Sequence, residues 1–189
     1  MRIRIIIPLL LLAVVILAGA LYWQYRKHTA DKFQWENTKI LLISKQEKML
    51  RLINYKGKEL FSAPVAIGLN EGNKVKQGDM RTPEGVFQVA DIQKASEWEH
   101  DFGDGKGKIK GAYGDYFIRL DVPGHSGIGI HGTHLPESIG SRASEGCIRL
   151  KNEDLAELVK MIYPPLTVII TPAAADERSN ELQKATHKK

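Results

Sequence analysis

Lys39-Ile40-Leu41-Leu42-Ile43-Ser44, followed after Lys45-Gln46-Glu47 by Lys48-Met49-Leu50-Arg51-Leu52-Ile53-Asn54, sets the fold class. Two aliphatic runs separated by a short polar turn read as a β-hairpin. Tyr55-Lys56-Gly57-Lys58 supplies the next turn and residues 59–67 the next strand. Gly85-Val86-Phe87-Gln88-Val89-Ala90-Asp91 alternates again, and shorter strand patterns follow at 116–120, 127–130 and 166–171. One segment reads as helix. Leu155, Leu158, Val159 and Ile162 fall at i, i+3, i+4 and i+7 behind Asn152 as N-cap, and Pro164-Pro165 stops the run, which predicts a helix over 152–163. Many short strands with regular turn signals predict a mainly β domain over 38–172, a β-sandwich or barrel.

The flanks differ from this body. Arg2 and Arg4 precede an uninterrupted apolar run at 5–23, which is 19 residues. That length spans a bilayer core, and Tyr22, Trp23 and Tyr25 suit its interface. A cleaved signal peptide is the rival, with Ala18-Gly19-Ala20 as the cleavage site, but its apolar region is typically shorter. Residues 1–27 are therefore expected to be an uncleaved transmembrane anchor. Residues 28–37 are expected to be a polar linker, and 173–189 a polar tail, disordered or a frayed helix.

Composition narrows the function classes. The chain has 189 residues, 43% of them hydrophobic, which allows a packed core and excludes wholesale disorder. Its net charge is +5, but residues 1–37 hold five Lys/Arg against two Asp/Glu, and 38–172 hold eighteen against seventeen. The body has no basic face, so no nucleic-acid partner is expected. A single cysteine, Cys147, excludes an internal disulfide and a multi-cysteine metal cluster. Two Gly-rich stretches, 68–82 and 94–115, are too long for simple hairpins and are functional or mobile loops. Asp101, Asp104 and Asp115 in the second do not match the calcium-loop spacing of an EF-hand.

The chemistry concentrates between His125 and Arg149, which holds three of the six histidines and the cysteine. Ile130-His131-Gly132-Thr133 and Ser144-Glu145-Gly146-Cys147-Ile148-Arg149 are the two key segments. A thiol with an imidazole as its base is the minimal set for nucleophilic acyl chemistry. The carbonyl of Gly132 can orient the imidazole, and the amides of Gly146 and Cys147 can face an oxyanion. The plain alternative is that Cys147 is a small buried hydrophobe beside Ile148 and Leu150. His125, His131, His134 and Cys147 are zinc-ligand types, but their spacing matches no compact zinc pattern.

These residues resemble the L,D-transpeptidase (YkuD-domain) family. Its signature is a histidine-glycine strand end, a gap, then Ser/Thr-His-Gly-Cys, an aliphatic residue and Arg or Asn. Arg81-Thr82-Pro83-Glu84-Gly85-Val86-Phe87 is similar to the family's Thr-Pro-x-Gly-x-Phe segment. The resemblance covers roughly 38–172. It implies a thiol acyltransferase fold, with Cys147 as nucleophile, His131 as general base and acid, Gly132 as the orienting carbonyl and Gly146 as an oxyanion amide. Ser144, Glu145, Arg149 and Thr133 would contact substrate. No metal and no cofactor is implied. The implied substrate is the tetrapeptide stem of peptidoglycan, outside the cytoplasmic membrane. Two rivals stand beside transfer: hydrolysis of the same thioester by water, and a non-catalytic wall-binding domain. Glu145 stands where the family commonly has histidine. A carboxylate there would raise the thiol's pKa, receive a substrate amine, or pair with Arg149.

Overall fold

The computed structural model describes residues 3–36, 38–103, 105 and 107–186, and of residues 3–12, 30–36, 182, 185 and 186 only the backbone. The chain divides into two units, Met1–Thr38 and Lys39–Lys189. The first is one helix, α1, Ile3–Glu36. The expected linker is thus helical to Glu36. No Gly or Pro occurs between His28 and Glu36 to stop the helix, and Thr29 Oγ1 donates back to Arg26 O at 2.9 Å. Side chains of residues 13–29 are exposed. Among the described residues no helix is long and apolar enough to cross a membrane. The side chains of 5–12, the first part of the apolar run, lie outside those described.

The second unit is mainly β. The strands are β1 Lys39–Ser44, β2 Met49–Asn54, β3 Glu59–Pro64, β4 Ile67–Gly68, β5 Gly85–Lys94, β6 Glu99–Asp101, β7 Lys108–Lys110, β8 Tyr116–Asp121, β9 Gly129–His131, β10 Arg142–Ser144, β11 Ile148–Arg149 and β12 Thr167–Thr171. Eight of them form one sheet in the order β11-β9-β8-β5-β12-β1-β2-β3. The two small pairs are β10 with β4 and β6 with β7.

This is a single curled sheet, not the two facing sheets of a sandwich. Ala66, just past the edge strand β3, bridges Arg149 on the opposite edge strand β11. Ala66 N donates to Arg149 O and Arg149 N to Ala66 O, both at 2.9 Å. The two edges thereby satisfy each other, which removes open edge groups. Within this sheet two pairings are parallel, β1 with β12 and β11 with β9, and the small β10–β4 pair is parallel too.

The alternating pattern of β1 and β2 buries Leu41, Ile43, Leu50 and Leu52 on one face. They join Ile118 of β8, Ile130 of β9, Ile148 of β11 and Val168 of β12 in one core. The helix α2, Asn152–Met161, covers it with buried Leu155 and Leu158. Its N-cap is Lys151, not Asn152, and it stops two residues earlier than the periodicity suggests. The reason is competition: Asn152 Oδ1 accepts from Thr133 N at 2.9 Å instead of capping its own helix.

The expected loose tail is largely a docked helix, α3, Ala174–Thr186; residues 187–189 lie outside those described. Asp176 fastens α3. It accepts from Gly72 N at 2.7 Å and from Arg142 Nη2 at 2.7 Å, and lies 3.2 Å from Lys45 Nζ. Lys45, 1% exposed, also meets Glu84 Oε1 at 2.6 Å and donates to Gly72 O and Thr82 O. A fully satisfied buried cation of this kind is costly to remove, because its anions stay behind.

Lys45→Met should therefore lower stability by about 3–5 kcal/mol, since Asp176 and Glu84 lose their shared partner. Urea unfolding of the full chain measures this. A change under about 1 kcal/mol, the size of a surface pair, would contradict the keystone role.

Candidate active site

The parallel register of β11 on β9 builds the site. Ile148 lies opposite Ile130 and Arg149 opposite His131. Continuing that register by one residue sets Cys147 beside Gly129. Cys147 Sγ donates to Gly127 O at 3.3 Å. Cys147 and His131 line one cavity of about 570 Å³, together with Lys74, His100, Tyr113 and Arg149.

His131 is 3% exposed and held from three sides. Its Nδ1 lies 2.7 Å from Gly132 O. A carbonyl can only accept, so Nδ1 carries the hydrogen and Nε2 keeps its lone pair. Phe117 stacks parallel to the ring at 5.5 Å and Tyr113 meets it edge-on at 4.8 Å. Burial drives its pKa down to about 3, the positive charge of Arg149 and the neighbouring His100 adding to that, against the Gly132 hydrogen bond. The ring is neutral at pH 7. Burial likewise pushes the Cys147 thiol above its ordinary value, offset in part by the Gly129 backbone, Arg149 and Lys74. At rest the proton stays on sulfur.

Gly132 fixes the loop after His131. A Cβ there would lie 2.1 Å from Asn152 Oδ1 and 3.0 Å from Gly114 Cα, so only glycine fits. Gly132 N donates to Tyr113 O at 2.7 Å, and Leu150 N to His131 O at 2.8 Å.

Gly146 is equally constrained. Its φ is +132°, and a Cβ would meet Arg81 O at 2.8 Å. Gly146 O accepts from Thr82 Oγ1 at 3.0 Å, which pins the turn to the 68–84 segment. Gly146 N donates to Ser144 Oγ at 3.1 Å. That amide is engaged, so an oxyanion would have to displace the Ser144 hydroxyl.

The remaining candidates separate. Ser144, Glu145 and Arg149 line the cavity. Thr133 does not: it is buried, its N bound to Asn152 and its Oγ1 accepting from Leu135 N at 3.0 Å. Arg149 reaches Ala143 O at 3.3 Å and lies 5.3 Å from the Phe102 ring centre. Glu145 pairs with His100, Oε2 to Nε2 at 3.0 Å, and not with Arg149. His125 and His134 stand outside this cavity's lining.

Several lining residues were not legible as such in the sequence. Lys74 is buried and donates to Asp79 Oδ1 at 2.8 Å. Burial alone would raise the Asp79 carboxyl, but Lys74 and the amides of Val75, Lys76 and Arg81 bring it to about 2. His100, Phe102 and Tyr113 come from the β6–β7 hairpin and the turn after it. The only signal was the length of the Gly-rich stretch at 94–115. Asp101 accepts from Gly103 N at 2.9 Å, and Asp104 lies outside the described residues.

Comparison with known proteins gives the arrangement its context. The YkuD family model, an L,D-transpeptidase catalytic domain, matches residues 38–170. The Bacillus subtilis candidate L,D-transpeptidase YqjB is 34% identical over 112 residues, 58% of this chain and 61% of that protein. The candidate L,D-transpeptidase YkuD of the same organism is 42% identical over 82 residues, 43% of this chain and 40% of that protein. The chain thus spans about half the length of the curated relatives it matches. The catalytic domain of the Enterococcus faecium L,D-transpeptidase superposes with a TM-score of 0.52 at 21% identity, covering 71% of this chain and 97% of that one. The Campylobacter jejuni helical cell shape determining protein Pgp2 gives 0.53 at 25% identity, covering 72% and 48%.

The buried neutral imidazole sets a pH response. Unfolded histidine titrates near 6.5. Between about 6.5 and about 3 the unfolded chain binds a proton that the fold refuses, so stability falls as pH falls through that window. His131→Gln should flatten the decline between pH 7 and 5, read as urea midpoints of both proteins. Equal slopes would show that the ring titrates freely in the fold.

Proposed function

The chain belongs to the YkuD family of L,D-transpeptidase catalytic domains, and from that premise we propose that it is a cysteine acyltransferase acting on peptidoglycan stem peptides. The observation that carries this reading is the β9–β11 register, which brings a thiol and an oriented neutral imidazole to one cavity. In the first half-reaction His131 Nε2 takes the Cys147 proton and sulfur attacks the carbonyl of the L-centre of the third stem residue. The C–N bond to the terminal D-alanine breaks, and His131 returns the proton to the departing amine. In the second half-reaction an acceptor amine attacks the thioester, and sulfur leaves with a proton again carried by His131. The energy of the cleaved peptide bond is kept in the thioester, so no nucleotide is needed.

The thiol's raised pKa supports transfer of the proton together with attack, not a standing ion pair. Arg149 and Lys74 supply the positive potential toward which negative charge develops. The amide of Cys147, joined by that of Gly146 once Ser144 Oγ turns away, would receive the oxyanion.

The same reading places the enzyme on the wall side of the cytoplasmic membrane, held by a single helix. The support is the 19-residue apolar run at 5–23 behind Arg2 and Arg4.

Cys147→Ala should abolish stem transfer with little loss of stability, because removing one sulfur is a small packing change. His131→Ala should lose about 10²–10⁴-fold. Muropeptide mass analysis with a tetrapeptide stem and an amine acceptor reads both, and full-rate turnover by the Cys147 variant would end this mechanism. For the anchor, full-length protein should sediment with membranes through a high-salt wash, since salt screens ionic contacts and not apolar ones. Release into the wash, or a mature N-terminus at Leu21, would refute it.

A further inference from the structure

His100 is a histidine that the sequence motif leaves without a role, and it lines the cavity. It sits on β6, in a hairpin that belongs to neither the main sheet nor the β4–β10 pair. Its Nε2 lies 3.0 Å from Glu145 Oε2 and its Nδ1 2.9 Å from Tyr113 Oη. A carboxylate can only accept, so in the neutral ring Nε2 carries the hydrogen. Nδ1 is then the acceptor, and Tyr113 donates its hydroxyl hydrogen to it. A carboxylate orients an imidazole, and the imidazole faces a hydroxyl: this is the ordering of an acid–base triad. All three residues line the cavity that holds Cys147 and His131.

The proposed acyl transfer has a proton that His131 cannot take. During acylation the thiol proton passes through His131 to the leaving amine, and the ring ends neutral. Aminolysis starts from an acceptor that is an ammonium at neutral pH, since an alkyl amine has a pKa of about 10.4. One proton must leave that nitrogen before it attacks. A second leaves during attack and goes through His131 to the departing sulfur. We infer that Tyr113, His100 and Glu145 form a second relay, separate from His131, that takes the first proton from the acceptor ammonium. Tyr113 Oη accepts it while passing its own hydrogen to His100 Nδ1, giving an imidazolium between Tyr113 and the Glu145 carboxylate. His100 then releases the proton to solvent through its exposed flank, its side chain being 27% exposed and that of Glu145 46%.

Burial and the neighbouring Cys147 and Glu145 raise the Tyr113 hydroxyl, so it enters the relay protonated. Besides these partners, His100 faces Arg149 and His131 across the cavity. On its own hairpin Glu99 lies opposite Lys110 and Asp101 opposite Lys108. The relay explains why a carboxylate at position 145 is compatible with activity. Glu145 serves a histidine supplied by the hairpin, 45 residues away in sequence.

The inference rests on the acyl-transfer reading, and the test separates the two. Full-length wild-type, Tyr113→Phe and Glu145→Gln proteins are acylated with a tetrapeptide stem, and thioester formation at Cys147 is followed by intact mass. Decay of the thioester is then timed with Nα-acetyl-lysine amide, an ammonium at pH 7, and with hydroxylamine, which is already neutral there. In both variants lysine aminolysis should fall about 10²-fold more than acylation does, as for loss of a general base. Hydroxylamine aminolysis should fall no more than acylation, and the lysine deficit should close as pH rises toward the amine's own pKa. Equal losses with both amines, or no added loss with lysine, would overturn the relay and leave acyl transfer standing. A wild-type protein that forms no thioester would overturn both. Glu145→Gln is the safer variant for folding, because its side chain is half exposed.

Discussion

The pairing of two very short strands governs this molecule. β11 has two residues and β9 three, and their parallel register sets Arg149 opposite His131. A shift by one residue would turn every side chain of β11 to the other face and move Cys147 away from the imidazole. So short a ladder does not hold itself. It is held by Ile130 and Ile148, both fully buried, by the double hydrogen bond between Arg149 and Ala66, and by Leu150 N on His131 O. The closure of the curled sheet and the geometry of the site therefore share a residue, Arg149.

Around that ladder the site is fixed by neighbours packed directly against two glycines. Gly132 against Asn152 and Gly114, and Gly146 against Arg81, admit no side chain. The 68–84 segment that presses on Gly146 is itself anchored from behind: Lys45 holds Gly72 O, Thr82 O and the Glu84 carboxylate, and Asp176 holds Gly72 N. A chain of contacts thus runs from α3, outside the matched family domain, through the 68–84 segment to the turn that carries the thiol.

Local pattern carried the strands well. The hairpin of β1 and β2, the alternation in β5 and the apolar run of β12 all follow from the side-chain period. The motif around each of Cys147 and His131 marks them as candidates, and the fold brings both to one cavity. What stayed hidden depends on contacts distant in sequence. The expectation left sandwich and barrel open; parallel pairing of β1 with β12 and closure through Ala66 decide for one curled sheet, and neither leaves a local trace. Asn152 had the sequence of a cap and the structure of a clamp, because the Thr133 amide competes for its oxygen. The tail looked too polar to dock, yet Asp176 is fully buried because Gly72 N, Arg142 and Lys45 satisfy it. The 94–115 stretch showed only that it was long. Its contribution to the cavity is visible only in the contact of His100 with Glu145.

The electrostatics of the site disfavour charge separation. Burial lowers the imidazole of His131 and raises the thiol of Cys147, so the cavity opposes a thiolate–imidazolium pair. The opposition comes from the same packing, Phe117 and Tyr113 on the ring, that fixes its orientation. Geometry and resting reactivity are thus set against each other: a more solvated ring would be a stronger base and a worse-aimed one. On the acyl-transfer reading a carbonyl in the cavity resolves the conflict. Negative charge then passes from sulfur to oxygen as the C–S bond forms, and the positive charges of Arg149 and Lys74 act on it in a medium of low polarity. A thiol kept protonated until that moment is also a poor target for oxidants, which attack the thiolate. For a protein with one cysteine and no second thiol to restore it, the raised pKa protects the residue that the proposed acyl transfer uses.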